Sequence, residues 1–290
     1  MKKNIALIAT ALSVSALVTG CAKNNPKFES FSQIEAGKTY KLSAMTSTAS
    51  VTLRDGAVLS VATESTNDLS AKVTTEYDSS GFLKSASIKD KNYDYSFPTI
   101  TASTYYLSGT NTSDSYFEAA NPLGFDFEYQ TFGVWNSSYT GSAGEVVTAG
   151  AFSTGARTEF NKIPTSGNYV FMGEYAGYYT TGSNVYQVYG WLDLAVDFGA
   201  KTVALDGYDA ELYNVNTDTW TSTSSLDMVG NLKYTDANNF SGPITFGTSL
   251  TGTAEGSFYG PSANEAGGLI NAYHPTSSSV KLIASFGAKR

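Results

Sequence analysis

The run from Asn184 to Phe198 constrains the fold more than any other stretch. Tyr186, Val188, Gly190, Leu192, Leu194, Val196 and Phe198 fall at alternate positions, with Gln187, Tyr189, Trp191, Asp193 and Asp197 between them. Successive side chains of an extended chain point to opposite faces, so a period of two predicts a long strand with one buried face. That face needs a sheet around it. After Gly167 seven more segments read as strands: Asn168 to Tyr178, Thr202 to Tyr213, Leu226 to Tyr234, Ser241 to Phe246, Leu250 to Tyr259, Leu269 to Tyr273 and Val280 to Phe286. Eight antiparallel strands close a small up-and-down barrel and leave no open edge. Parity turns Tyr169, Phe171, Gly173, Tyr175 and Gly177 of the first strand inward, and Val280, Leu282, Ala284 and Phe286 of the last. Small and large residues alternate on those faces, as the taper of a narrow barrel requires. Beyond residue 20 no stretch carries a 3.6-residue period, so any helix is short.

The alternation Gly252, Ala254, Gly256, Phe258 runs through Tyr259 into Gly260-Pro261. Proline presets φ and withdraws an amide donor, so a hairpin turn is predicted there. The returning strand opens at Gly267-Gly268, where glycine marks a bulge or a close backbone approach at a barrel corner. Glu265 lies inside this hairpin and reads as an acceptor for turn amides or a neighbouring donor, in preference to a catalytic acid.

Ahead of the barrel the strand-like runs are Gly37 to Ala44, Ser50 to Leu53, Ala57 to Ala62, Ala71 to Tyr77 and Phe82 to Ile88. The polar Asp78-Ser79-Ser80-Gly81 joins the last two as a hairpin. Tyr93 to Pro98 and Ser108 to Ser115 are expected to be exposed connections. Gly124 to Trp135 alternates Phe125, Phe127 and Tyr129 with Asp126, Glu128 and Gln130, predicting a half-buried strand with both acids on a solvent face. From Ser137 to Ser153 the sequence turns small and polar, and Ile163 to Gly167 marks a domain boundary. The chain thus divides into a β-rich domain over residues 27–162 and a barrel over 163–290, an all-β protein.

Residues 1–20 read as a secretory signal, with Lys2 and Lys3 ahead of the apolar run Ile5 to Val18. Leu17-Val18-Thr19-Gly20-Cys21 has the form of a lipobox. Cys21 is the only cysteine, so no internal disulfide can form, and thiol acylation by chains such as palmitate gives it a role. Residues 21–26 form a short lipidated tether. Ala22, where aspartate favours inner-membrane retention, points to the outer membrane. The net charge of −8 and the lack of a basic cluster exclude a nucleic-acid partner. With 27 glycines, 20 tyrosines and 15% charged residues, the composition is that of extracellular β structure.

The hairpin Gly256 to Gly268 resembles the C-terminal barrel signature of the transferrin-binding protein B-like surface lipoproteins. So do Ile163 to Gly173, the Asp197-Phe198-Gly199 turn and the ending Phe286 to Arg290, while Phe132, Gly133 and Trp135 resemble the strand that precedes the family's barrel. The resemblance implies a single lobe: an N-terminal handle domain followed by an eight-stranded antiparallel barrel. It also implies a lipid anchor in the outer membrane, delivery to the surface by an assembly translocon, and capture of a protein ligand. Relatives take transferrin, haemoglobin, haem or complement regulators. Within it Gly256, Phe258, Tyr259, Gly260, Pro261, Glu265, Gly267 and Gly268 are signature residues with a structural role.

No nucleophile and histidine pair can be assembled, and the chain reads as non-enzymatic. Asn214, Asn216 and Asp218 alternate as calcium ligands do, yet the loop lacks the glycine and terminal glutamate of an EF-hand, so an Asn-rich turn is preferred. His274, the only histidine, shares parity with Ile270 and Ala272 near a barrel mouth and is the one candidate haem ligand. Tyr175, Tyr178, Tyr179 and Tyr186 either present a protein-binding surface or cover a sheet. Three functions follow: a surface lipoprotein that binds a host or environmental protein such as an iron or haem carrier, a carrier of haem or another small ligand, and a structural envelope lipoprotein.

Overall fold

A computed structural model describes residues 26–290 apart from 55–56, 112–114, 142–143, 183, 215–216 and 248–249, and leaves undescribed the side chains of 57, 59, 63–68, 139–141 and 144. The signal segment and Cys21 lie outside the described residues. The described chain is almost wholly β and holds two sheets.

The second sheet is the barrel. Its strands are β10 (Asn168–Thr180), β11 (Val185–Asp197), β12 (Thr202–Asn214), β14 (Met228–Lys233), β15 (Phe240–Phe246), β16 (Thr251–Tyr259), β17 (Glu265–His274) and β18 (Ser277–Lys289). They pair antiparallel in sequence order, and β10 to β18 pairing closes the ring. All eight predicted segments are strands. One short strand the alternation did not reveal, β13 (Thr219–Ser222), adds to the far half of β12. The barrel interior is filled by the faces that parity assigned: Phe171 and Tyr175, then Val188, Leu192, Leu194, Val196 and Phe198, and finally Leu282, Ala284 and Phe286. Tyr169, under the Arg290 guanidinium and 44% exposed, and half-buried Tyr186 are the exceptions. Phe258 stands at the centre, with the rings of Phe171, Phe198, Tyr234 and Phe240 within 6.2 Å of it.

The first sheet runs in the order β4-β3-β2-β1-β9-β8-β7-β6-β5. Its strands are β1 (Thr39–Arg54), β2 (Ala57–Tyr77), β3 (Leu83–Asp90), β4 (Tyr93–Phe97), β5 (Thr99–Ala102), β6 (Tyr106–Thr110), β7 (Tyr116–Ala120), β8 (Gln130–Gly141) and β9 (Gly144–Gly155). Its end strands β4 and β5 are consecutive around Pro98, so the sheet curls almost closed around Phe97, Phe117, Trp135 and Phe152.

Three expectations for this half are corrected. The short runs between Gly37 and Tyr77 merge into β1 and β2, because register shifts at Ala44/Thr46 and Thr52/Leu53 break the alternation without ending the strands. Tyr93–Phe97 and Tyr106–Thr110 are strands and not connections, since tyrosine and threonine suit a pleated surface despite their polarity. Gly124 to Trp135 is extended only from Gln130. Before it, Asn121 caps a helical turn over Pro122–Phe125 by accepting from the Leu123 amide, and Asp126 ends the turn at φ 56°. The small, polar stretch Ser137 to Ser153, on which the alternation is silent, supplies the end of β8 and most of β9, which lie near the middle of the sheet.

The two sheets pack face to side. Met45, Ala49, Val51, Phe127, Phe132, Val134, Ala149 and Ala151 of the first half bury the outer faces of Ala176, Tyr178, Leu269 and Ile283 on the barrel. Buried on both faces, the end of β18 reads as continuous Leu282 to Ala288 rather than as an alternation.

Candidate functional site

The signature hairpin lies at this junction. β16 and β17 pair without a break from Thr251↔Tyr273 to Tyr259↔Glu265. The turn between them takes positive φ at Gly260 (84°) and Ala263 (55°). Gly267 and Gly268 have no positive φ and form no bulge, so close approach explains them. A Cβ on Gly268 would stand 2.1 Å from the Glu255 carbonyl oxygen, and one on Gly267 2.8 Å from both Gln130 Oε1 and Ser153 Oγ. Gly256 pairs with Gly268 beneath the Phe240 ring. Pro261 lies exposed at the tip.

Glu265 binds the segment that leads into β8 instead of its own turn. Its buried carboxylate accepts from the amides of Glu128 at 2.6 Å and Tyr129 at 3.0 Å, and the Gln130 amide also donates to it. Burial pushes its pKa up to about 7, against the pull of these donors. Tyr259 is buried, with its hydroxyl 3.1 Å from Ser153 Oγ of β9. The interdomain link runs alongside: Gly260 donates to Ala156 and Thr158 to Phe258, while Arg157 donates to Ser257 Oγ at 2.6 Å. The hairpin is therefore a clamp between the barrel and the first sheet. Asp126 is exposed, as its alternation predicted, and pairs with Lys289 of β18, while partly exposed Glu128 accepts from the Ser32 amide at 3.1 Å.

His274 is elsewhere. It ends β17, half-buried, with Nδ1 3.3 Å from the Thr276 amide and 3.2 Å from its hydroxyl, in the turn to β18. Asp218 accepts from the Tyr213 hydroxyl at 2.9 Å, Asn214 ends β12, and Asn216 lies outside the described residues. Among the described residues no group of histidine, cysteine, aspartate and glutamate is placed to hold a metal. Tyr175 and Tyr178 are buried, one inside the barrel and one under the first sheet, so neither presents a binding surface.

A second feature escaped the sequence. Where β6 and β7 meet β10 to β13, a cleft of about 770 Å³ opens. Tyr106 and Glu118 form one wall, and Glu174, Tyr189, Trp191, Asp209, Glu211, Trp220 and Asp227 the other. Tyr106 donates to Glu174 at 2.7 Å, and Tyr189 and Tyr116 donate to the two oxygens of Glu118 at 2.6 and 2.5 Å. Burial and the adjacent carboxylates push these phenols far above their ordinary range, so they remain donors. Burial also raises the Glu174 carboxyl, opposed by the Tyr106 bond. Trp220 leans on Tyr213 (4.9 Å) and Tyr189 (5.6 Å) and stays 56% exposed, and Trp191 is 50% exposed. Parity had placed Tyr189 and Trp191 on the outer face of β11. What it could not show is that β6, β7 and β13, distant in sequence or unrecognised, converge there.

Together these features define a β protein of two packed sheets, one curled and one a closed eight-stranded barrel, with a cleft at their junction. Residues 163–290, the barrel, match the family described as the C-lobe and N-lobe beta barrels of Tf-binding protein B. The chain is also similar to a solved variant of transferrin binding protein B from Haemophilus parasuis, with a TM-score of 0.54 at 18% identity over 84% of this chain and 45% of that one. For the isotype 1 protein from Neisseria meningitidis the TM-score is 0.44 at 14% identity, over 83% of this chain and 58% of that one. The chain thus spans under half the length of the Haemophilus protein, and at this identity the likeness establishes the fold. No curated protein sequence matches the chain.

Proposed function

We propose that this chain is a non-catalytic surface lipoprotein that captures a protein ligand through the junction cleft. The observation that carries the reading is the pair of half-exposed tryptophans, Trp191 and Trp220, on a cleft built from both domains. Such aromatics are costly to leave in water and dominate binding energy where proteins meet. The barrel's kinship to proteins named for binding transferrin agrees with a protein ligand. An iron or haem carrier, host or environmental, is the class of partner we favour. Acylation of Cys21 would hold the protein on the outer membrane, and a surface-assembly translocon would carry it to the outer face. A clamped junction suits this role, because a preformed two-domain surface loses little freedom on binding.

The test is retention. The soluble chain from Ala22 onward, immobilised and exposed to serum and to haemoglobin, should retain a protein partner, and protease treatment of intact cells should release the chain. Repeated failure to retain any partner refutes the reading, whereas protection from protease refutes only the surface location and favours a structural envelope role.

A further inference from the structure

We infer that the junction cleft is a receptor for cationic side chains, arginine above all, carried on a basic segment of the protein partner. This rests on the protein-capture reading and names the chemistry of the partner. Five carboxylates line the cleft, those of Glu118, Glu174, Asp209, Glu211 and Asp227, and among its described lining residues there is no lysine, arginine or histidine. Two of the five are held by tyrosine hydroxyls, which donate without neutralising charge. Asp227 lies on the same wall, although its Oδ1 is shut off from solvent and has no hydrogen-bond donor.

The aromatic lining decides the kind of donor. Trp220 has support from Tyr189 and Tyr213 and is more than half exposed, and Trp191 stands on the same rim. A guanidinium stacks on indole while its N–H fork bonds a carboxylate, whereas an ammonium offers a point charge that is more strongly hydrated. Five carboxylates repel an anionic ligand. The volume of about 770 Å³ exceeds one side chain and suits several residues of a segment. The net charge of −8 attracts such a segment from a distance.

Calorimetry of the chain from Ala22 onward with hexa-arginine, hexa-lysine and hexa-glutamate at low salt tests the inference. Hexa-arginine should bind, more tightly than hexa-lysine and with an affinity that falls as salt rises, and hexa-glutamate should not. The double variant Glu211→Gln, Asp227→Asn should weaken hexa-arginine by about tenfold or more, as should Trp220→Ala. The charge variant should melt with the parent, since Asp227 Oδ1 has no bond to lose. Equal binding of hexa-arginine by parent and variants, or binding of hexa-glutamate, overturns the inference. These outcomes need no knowledge of the natural partner. A retained partner that the charge variant holds as tightly would also sink the inference while leaving protein capture intact.

Discussion

Replacing Glu265 with glutamine removes the titratable group from the interdomain clamp and leaves its shape. In the native protein its carboxyl has moved from 4.5 to about 7. Because the folded-state value lies above that of the unfolded chain, the native protein binds the extra proton between those limits. The stability that this proton contributes is fully present below pH 4.5 and is lost as pH rises through about 7. At about 1.4 kcal/mol per unit, the shift corresponds to roughly 3 kcal/mol. Urea unfolding of the chain from Ala22 onward, between pH 5 and 8, should show parent stability falling relative to Glu265→Gln by about 2–3 kcal/mol. Taking the difference removes the background from other carboxylates. Glu265→Ala behaves otherwise: it strands the amides of residues 128–130, at about 1–3 kcal/mol each, so it should destabilise most in acid and least above pH 7, where loss of the buried charge offsets it. Parallel pH profiles for parent and Glu265→Gln would refute the clamp as described.

Gly268→Val should lower the melting temperature by about 10 °C, because its Cβ would meet the Glu255 carbonyl oxygen at 2.1 Å, while Ser262→Ala in the exposed turn should leave it unchanged. Equal melting temperatures would mean that no close approach exists there. Cys21→Ser should abolish palmitate labelling and release the protein from the membrane fraction; continued labelling would place the anchor elsewhere. Haem added to the parent and to His274→Ala should give the same visible spectrum, since Nδ1 already faces Thr276; a Soret shift confined to the parent would make His274 a ligand.

The barrel was legible because β11, β12, β14 and β15 have one wet and one dry face, so period two survives there even where boundaries shift. The first sheet was not, for a physical reason. Its central strands lie between their own interior and the barrel, so Ser47, Ala49 and Ala151 are buried without alternating as apolar residues do. The hairpin's glycines were read as a corner from their spacing, but Gly268 makes room for the Glu255 carbonyl of its own hairpin, and Gly267 for Gln130 and Ser153 of the first sheet. The same holds for Glu265, whose donors lie at residues 128–130. The cleft was hidden for a related cause. Trp191 was visible as an outward residue, but Trp220 sits on a four-residue strand too short to show a period, and Glu118 arrives from β7.

The most direct measurement of the central claim is the affinity for a retained partner of the double variant Trp191→Ala, Trp220→Ala, set beside the parent and Ser262→Ala. Two truncated aromatic anchors at about 2 kcal/mol or more each predict a loss of the order of a thousandfold, with Ser262→Ala equal to the parent. Retention of the partner at parental affinity by the double variant would contradict the assignment of the cleft as the binding surface.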